Sequence, residues 1–420
     1  MSEQLLVLLY DNVVGTLHQP SLGDDPTFTY LPEYARGGSA ALSARLPLSE
    51  STYTAKRVAP FLSGLLPENR ELRSQMAREL GTHEDDYFTL LSHMGWDCPG
   101  AVQFCRPTDV QLLRERTSEY AEIDESGIAA RLRSLTGNPA SWLMPDEHWS
   151  LGGQQEKFAL AEINGRWHEA HGSAATTHIF KPGIPSLHHQ ALVEHVTMMA
   201  ASHLGVDIAG TRMLQFEDQW AIVVGRFDRS FTDDNHVVRL HQEDFCQALG
   251  RMPSRKYESN GGPTLADMVR TVEQHSTERY DDRIALADFL IINVVAGAPD
   301  GHSKNISMLR LPNETSVAPL YDLATGLAYE TQRVERSTAL SVGGERELSR
   351  IYKKQWIKAA DILKLDGDAV VARTASLASG FPAAFETALV SVEHIPGANE
   401  VADRTLPELR SHCERIIDRL

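Results

Sequence analysis

The segment from Asp300 to Asn305 contains the residues with the clearest capacity for chemistry. Asp300 and Asn305 stand five positions apart. A buried-looking helix pattern ends just before them at Gly297, and Pro299 prevents its continuation. In a catalytic loop with Asp-x-x-x-x-Asn spacing, the carboxylate faces an incoming hydroxyl while the amide oxygen reaches a metal. The spacing is therefore typical of phosphoryl transfer, although a turn with a capping aspartate gives the same pattern.

Two segments upstream could bind the phosphates. Adjacent glycines let backbone N–H groups approach an anion in the stretch Ser150-Leu151-Gly152-Gly153-Gln154-Gln155-Glu156-Lys157. Lys181 closes an apolar strand and suits the role of a cation that holds phosphates. Glu194, on the following helix, is placed to pair with Lys181 as a kinase glutamate does. The alternatives are an ordinary strand-entry turn, a solvated lysine and a surface glutamate.

Two further segments complete the chain order of a kinase. The apolar strand that ends at Gly225 opens into Arg226 and Phe227, which suits a hinge behind an adenine ring. Asp322 follows the strand-like stretch Val317–Leu320 and would be the second magnesium ligand. A core strand and a turn aspartate are the alternatives. Five such signals in the correct order favour an ATP- and Mg2+-dependent kinase.

Composition limits the partners and the compartment. The 420 residues carry a net charge of -17 without a run of Lys and Arg, which argues against strong direct DNA binding. No stretch reaches the roughly 18 apolar residues of a membrane helix, and the N-terminus lacks the basic start of a signal peptide. The four irregularly spaced cysteines predict free thiols. We expect a cytoplasmic protein.

Hydrophobic patterns predict an α+β fold with three parts. Residues 1–105 combine a strand meander with two helices, residues 106–240 form a mixed sheet with one long helix, and residues 241–420 are helical. The stretch from about 107 to 145 is polar, acidic and less periodic. Among the C-terminal helices, we expect Pro382 to begin one and Asn399 to cap the last.

Several strings along the chain resemble the HipA family of bacterial toxin kinases, the toxin half of type II toxin–antitoxin pairs. They occur from Ser150 to Lys157, Gly225 to Arg229, Gln242 to Gln247, Lys256 to Pro263, Asp300 to Asn305, Tyr321 to Asp322 and Ala339 to Ser341. The resemblance covers nearly the whole chain, and residues 1–105 resemble the small N-terminal domain of the family. It implies a bilobal protein-kinase-like fold, with a sheet-rich N-lobe that carries this additional subdomain and an all-helical C-lobe.

The resemblance also implies residue roles. Asp300 would be the catalytic base, Asn305 and Asp322 would hold magnesium, and Ser150 would be the autophosphorylated serine. The ATP-binding residues would be Gly152, Gly153, Gln154, Gln155, Glu156, Lys157, Lys181, Gly225, Arg226, Phe227, His302, Ser303, Lys304, Asn305, Tyr321 and Asp322. Phosphorylation of Ser150 adds roughly -1.5 to -2 charges beside an anion-binding loop, which would eject the loop and silence the kinase.

The partners implied by the resemblance are a helix-turn-helix antitoxin of the HipB type and, through it, operator DNA. The implied substrate is glutamyl-tRNA synthetase, whose phosphorylation would inhibit translation and promote persistence. The sequence departs from the usual kinase pattern at two places. Ala298-Pro299 stands where most kinases have an arginine before the aspartate, and Asp322-Leu323-Ala324 replaces Asp-Phe-Gly. Two alternatives stay open: a small-molecule kinase of the aminoglycoside or choline type, and an inactive kinase fold that acts as a co-repressor.

Overall fold

Residues 3–37, 40–114, 119–137, 148–330 and 336–420 are described by a computed structural model. Part of the acidic stretch expected between 107 and 145 lies outside these ranges. The chain divides into two units. The first comprises Met1–Pro182, Gln215–Ser254 and Met308–Glu314, and the second comprises Gly183–Leu214, Arg255–Ser307 and Thr315–Leu420.

Alternating apolar residues build the first sheet of the first unit. Its strands are β1 (Glu3–Leu9), β2 (Asn12–Gln19), β3 (Thr27–Tyr30), β4 (Thr52–Tyr53) and β5 (Val102–Cys105), in the order β4-β3-β2-β1-β5. Tyr10 and Asp11 join β1 to β2 with positive φ angles of 51° and 62°, as a tight hairpin turn requires. The apolar face is buried at Val7, Leu17 and Phe28. The predicted strand meander is confirmed.

Helices accompany this sheet at α1 (Pro32–Gly37), α2 (Ala55–Leu65), α3 (Arg70–Glu79), α4 (Tyr87–Met94) and α5 (Val110–Arg114). The next helix, α6 (Glu125–Gly137), contacts the strand at Gln219–Gly225, which belongs to another sheet. Polar side chains begin two of them: Asn69 accepts hydrogen bonds from the first turn of α3, and Asp86 accepts one from Thr89 in α4. Gly81 follows α3 with a φ of +68° and Gly95 ends α4. The two helices predicted here are therefore confirmed.

The second sheet of this unit contains β6 (Glu119–Glu122), β7 (Phe158–Ile163), β8 (Arg166–His171) and β9 (His178–Lys181). The chain then passes through α7 (Gln190–His203) and β10 (Thr211–Phe216), which spans the unit boundary, and returns as β11 (Gln219–Gly225). Within the first unit the strand order is β11-β9-β7-β8-β6. Shorter elements follow at β12 (Arg229–Phe231), β13 (Val237–Arg239), β14 (Gln242–Asp244) and α8 (Phe245–Ala248).

The second unit is mainly helical, with α7 joined by α9 (Leu265–His275), α10 (Arg279–Val295), α11 (Lys353–Leu363), α12 (Gly367–Ser391) and α13 (Ala398–Ile417). The expectation of an all-helical C-lobe is wrong, because this part of the chain also contains strands. Strand β15 (Ser307–Arg310) spans the unit boundary, and the unit contains β16 (Thr315–Val317), β17 (Ser337–Val342) and β18 (Glu345–Glu347). None of the helices in the described ranges combines the length and the apolarity that crossing a bilayer requires.

Two helix boundaries were predicted wrongly. Pro382 does not begin a helix but lies inside α12. The loss of one backbone hydrogen bond there is outweighed because Leu377, Phe381 and Phe385 lie on one buried face of a continuous helix. Asn399 does not cap α13, since Gly397, with a φ of +90°, takes the cap position. All four cysteines are free and buried, as predicted.

Candidate functional site

A glycine turn delivers the Asp300 loop from the end of α10. Gly297 has a φ of +60° and follows the last residues of the helix, and the Ala298 N–H donates to the Asn293 carbonyl at 2.8 Å. Gly301 is packed so closely that a Cβ atom there would lie 2.4 Å from Cγ of Asn293. Only glycine fits this position without a shift, so the loop is fixed against its own helix.

Asp300 presents its carboxylate from this loop, and its side chain is 55% exposed. The Tyr257 hydroxyl donates to Oδ1 of the carboxylate, and Nε2 of His302 lies 3.5 Å from the same oxygen. The Asn305 side-chain nitrogen donates to the Asp300 carbonyl at 2.9 Å. An exposed, oriented carboxylate of this kind is suited to accept a proton from a hydroxyl group.

Asn305 and Asp322, the two predicted metal ligands, line one pocket of the second unit together with Gly301 and Tyr321. Because the Asn305 nitrogen already bonds to Asp300, its amide oxygen is the group left for a ligand. Asp322 has a φ of +58°, which is uncommon outside glycine and occurs preferentially at functional sites. Carboxylate and amide oxygens are the donors that Mg2+ prefers.

These two residues fit a magnesium ion that phosphates and water complete, not an all-protein cage. Within the described ranges, no cluster of three or more His, Cys, Asp or Glu side chains could hold a metal. The strand expected at Val317–Leu320 lies earlier, at β16, and Asp322 follows an isolated bridge between Leu320 and Ile208. The predicted ligand pair therefore lies in loops and not at a strand end.

The other predicted pocket residues of this unit lie in the same loop or contact it. His302, Ser303 and Lys304 are buried. The Tyr321 hydroxyl donates to the Lys304 carbonyl and lies 2.7 Å from the Ser307 hydroxyl. The hydrogen bond to the Lys304 backbone thus links Tyr321 to the Asp300–Asn305 loop.

The glycine-rich segment of the first unit packs against residues of the N-terminal subdomain. The Ser150 side chain is fully buried, its hydroxyl donates to the Leu65 carbonyl at 2.7 Å, and its N–H donates to the Asp97 carbonyl at 2.9 Å. The Gly153 carbonyl accepts from the Glu68 N–H at 2.9 Å. In this position the Ser150 hydroxyl is closed to solvent.

Both glycines of this loop are required by its geometry. Gly153 has a φ of +101°, and a Cβ atom at Gly152 would lie 2.7 Å from the Gly64 carbonyl oxygen. Lys157 turns back and donates to the Gly152 carbonyl at 2.8 Å. The remaining predicted loop residues, Gln154, Gln155 and Glu156, line a pocket with Gly153 and Lys157, and burial raises the pKa of Glu156.

The predicted hinge leads into a buried ion network that sequence reasoning missed. Arg226 and Arg229 both contact the carboxylates of Asp97 and Asp228, and Arg239 also binds Asp97. Burial opposes ionisation of Asp97, but the three guanidinium groups hold the pKa of its carboxyl well below its usual range. We call these five residues the Asp97 network.

The network fixes the chain directly after β11. The Arg226 N–H donates to the Thr177 carbonyl at 2.9 Å, so an adenine contact through this N–H would have to replace that bond. Gly225 stands opposite His178 in the sheet. The hinge role of Gly225, Arg226 and Phe227 stays a prediction.

Lys181 and Glu194 are both buried. Lys181 ends β9 opposite Ile222 of β11 in the first unit, whereas Glu194 belongs to α7 of the second unit and accepts a hydrogen bond from Gln190 at 3.1 Å. Their ion pair stays a prediction. The sequence assigned no role to Tyr257, although it lies in the family string from Lys256 to Pro263.

Comparison with known proteins covers most of the chain. Residues 5–105 match the HipA N-terminal domain, and residues 149–385 match the HipA-like C-terminal domain. A provisionally named kinase of Sinorhizobium fredii is 33% identical over 361 residues, which cover 85% of each chain. The serine/threonine-protein kinase toxin HipA of Shewanella oneidensis is 28% identical over 429 residues, covering 97% of this chain and 95% of that protein.

A solved structure gives the same result for the fold. The structure of the Shewanella oneidensis toxin–antitoxin complex of HipA, HipB and operator DNA matches with a TM-score of 0.83 at 25% identity, covering 99% of this chain and 97% of the matched chain. The expected bilobal kinase-like fold is thereby confirmed in its main features.

Proposed function

Because the chain belongs to the HipA family, we propose that it is an ATP- and Mg2+-dependent serine/threonine protein kinase and the toxin of a toxin–antitoxin pair. The observation that carries the proposal is the Asp300 loop. It combines an exposed, oriented carboxylate with Asn305 and Asp322 in one pocket. Phosphoryl transfer needs little more from a protein than positioning and charge neutralisation.

The main predicted residues have different parts in this reaction. Asp300 accepts the proton of the serine hydroxyl that is phosphorylated. Asn305 and Asp322 would hold magnesium, which neutralises charge on the phosphates of ATP. Lys181 and the loop from Gly152 to Lys157 bind the phosphates, and the segment after β11 borders the adenine.

Ser150 would be the residue through which the kinase silences itself. Its hydroxyl is buried against the Leu65 carbonyl, so a phosphate of roughly -1.5 to -2 charges cannot occupy the same place without a large desolvation cost. The phosphorylated loop therefore has to leave its position. The hydrogen bond between Gly153 and Glu68 is lost with it.

The family relationship also supports the partners. We propose that a HipB-like helix-turn-helix antitoxin binds this chain and connects it to operator DNA, since a matched structure contains those components. The net charge of -17 is consistent with DNA contact through a partner. The proposed substrate is glutamyl-tRNA synthetase, whose phosphorylation would block translation and promote persistence.

Labelled ATP with Mg2+ tests the activity on wild type and the variants Asp300→Gln and Ser150→Ala, with glutamyl-tRNA synthetase present. We expect wild type to label itself and the synthetase. Ser150→Ala should label only the synthetase, and Asp300→Gln should lose at least about 10²-fold of both activities. The exposed Asp234 provides a matched control, and Asp234→Gln should behave as wild type.

The outcomes separate the parts of the proposal. Full labelling by Asp300→Gln would remove Asp300 as the base. Self-labelling by Ser150→Ala would place autophosphorylation elsewhere. A wild type that labels itself but not the synthetase would refute that substrate alone, and a wild type that transfers no label would refute the kinase.

A further inference from the structure

The short segment Lys256-Tyr257-Glu258 contacts two parts of the second unit, the Asp300 loop and strand β17. The Lys256 carbonyl accepts a hydrogen bond from the Ser303 hydroxyl at 2.7 Å. The Tyr257 hydroxyl donates to the Asp300 carboxylate. The Glu258 carboxylate accepts from the N–H and the hydroxyl of Ser341, at 2.6 and 2.8 Å. The first two residues of the segment thus contact the Asp300 loop, and the third connects the segment to β17.

Tyr257 is held by hydrogen bonds within its own loop and by contact with the ring of His302. Its carbonyl accepts from the N–H groups of Asn260 and Gly262, both at 3.0 Å. A Cβ atom at Gly262 would lie 2.2 Å from the Arg255 carbonyl oxygen, so the turn is closed as tightly as glycine permits. The Tyr257 ring meets the His302 ring edge-on, with centroids 4.9 Å apart and planes at 87°. The position of the hydroxyl is therefore set by a rigid support.

The contacts of the Asp300 carboxylate are asymmetric. Both the Tyr257 hydroxyl and Nε2 of His302 approach Oδ1, and among the described residues we find no hydrogen bond to Oδ2. The terminal torsion of an aspartate is broad and nearly two-fold, so an exposed carboxylate would otherwise sample many orientations. A donor fixed on one oxygen selects one orientation and leaves the other oxygen for an acceptor hydroxyl.

We infer that Tyr257 is a positioning residue for Asp300, a role that rests on the proposed kinase function. The Tyr257 hydroxyl holds Oδ1 and directs Oδ2 towards the serine hydroxyl that is to be phosphorylated. Tyr257 takes no proton and contacts no substrate. Its effect is on the geometry of the step, to which reaction rates are sensitive at displacements near 1 Å.

The test is the variant Tyr257→Phe, which removes the hydroxyl and keeps the ring that contacts His302. We expect kcat for phosphorylation to fall roughly tenfold, the usual effect of losing one hydrogen bond to a charged group. KM for ATP and the melting temperature should stay at their wild-type values. Tyr280 is exposed at the start of α10, and Tyr280→Phe is the matched control that should retain full kcat.

Each other outcome overturns the inference. An unchanged kcat shows that the hydroxyl is dispensable, and a raised kcat shows that Tyr257 competes with the acceptor hydroxyl. A lower melting temperature or a change confined to KM assigns Tyr257 to folding or to nucleotide binding. A wild type without kinase activity refutes the proposed function and this inference together, whereas an active wild type matched by Tyr257→Phe refutes the inference alone.

Discussion

Replacing Asp97 by asparagine tests whether the Asp97 network stabilises the first unit. The network contains three guanidinium groups and two carboxylates, and Asp97 lies 3.2 Å from Arg226, 2.8 Å from Arg229 and 2.9 Å from Arg239. Asparagine has nearly the same size but no charge. The variant therefore leaves two buried guanidinium groups and the half-buried one of Arg239 with Asp228 as the one remaining carboxylate in the network.

The expected loss of stability in Asp97→Asn follows from the burial of the network. Removing one partner of a buried ion pair costs about 3–5 kcal/mol, because the remaining charge stays desolvated. We expect Asp97→Asn to lower the free energy of unfolding at pH 7 by this amount. For a folding unit of this size, the melting temperature falls by about 2–4 °C per kcal/mol, which gives a decrease of roughly 6–20 °C.

Urea denaturation followed by circular dichroism measures the effect, with Asp234→Asn as an exposed control that should stay within about 0.5 kcal/mol of wild type. The pKa of Asp97 is held below its usual range. Its stabilisation is therefore complete above the unfolded value near 3.9 and is lost as the pH falls through the lower folded value.

The difference between wild type and Asp97→Asn should thus be constant from about pH 5 to 8 and shrink below about pH 4. A variant within about 1 kcal/mol of wild type at pH 7 would show that the network contributes little. A difference that grows on acidification would show that the sign of the pKa shift is wrong.

Two further predictions concern the second unit. Burial lowers the pKa of His195 to about 4. Stability that depends on neutral His195 is therefore lost as the pH falls from the unfolded-state pKa near 6.5 to about 4. In urea titrations over this range, the free energy of unfolding of wild type should fall by about 3 kcal/mol relative to His195→Gln, and parallel pH profiles would contradict this. Gly301→Ala brings a Cβ atom to 2.4 Å from Asn293, so it should cost about 1–3 kcal/mol and lower kinase activity at least tenfold. Gly210→Ala, where a Cβ atom meets nothing within 4 Å, should match wild type, and equal activity of the two variants would refute the packing argument.

Local patterns predicted the elements because their causes are local. The strand meander predicted within residues 1–105 is present as β1, β2 and β3, and Gly297 follows the end of α10, as the helix pattern predicted. Pro382 was misplaced because a proline at the start of a helix and one inside a long buried helix differ only in packing. That packing depends on the other elements around α12, and the residues next to Pro382 in the sequence do not indicate it.

Local sequence patterns could not predict which residues the site residues contact. Tyr257 meets Asp300 across 43 positions, and Arg229 meets Asp97 across 132. Charged residues are predicted to be solvated by default, since most of them are. Nothing in the spacing of Asp97 distinguishes it from a surface aspartate, and only the fold brings three arginines to it.

The charged residues after β11 show how burial changes an interpretation made from sequence. From sequence, the transition from the apolar strand to charged residues at Arg226 suits a hinge behind an adenine ring. In the structure the side chains of Arg226 and Asp228 are buried and paired. Through the backbone of Asp97 the network also reaches the N–H of Ser150, so one residue supports both the segment after β11 and the start of the glycine-rich loop. Under the proposed silencing through Ser150, the hydrogen bond to the Asp97 carbonyl is one of the contacts that release of the loop would break.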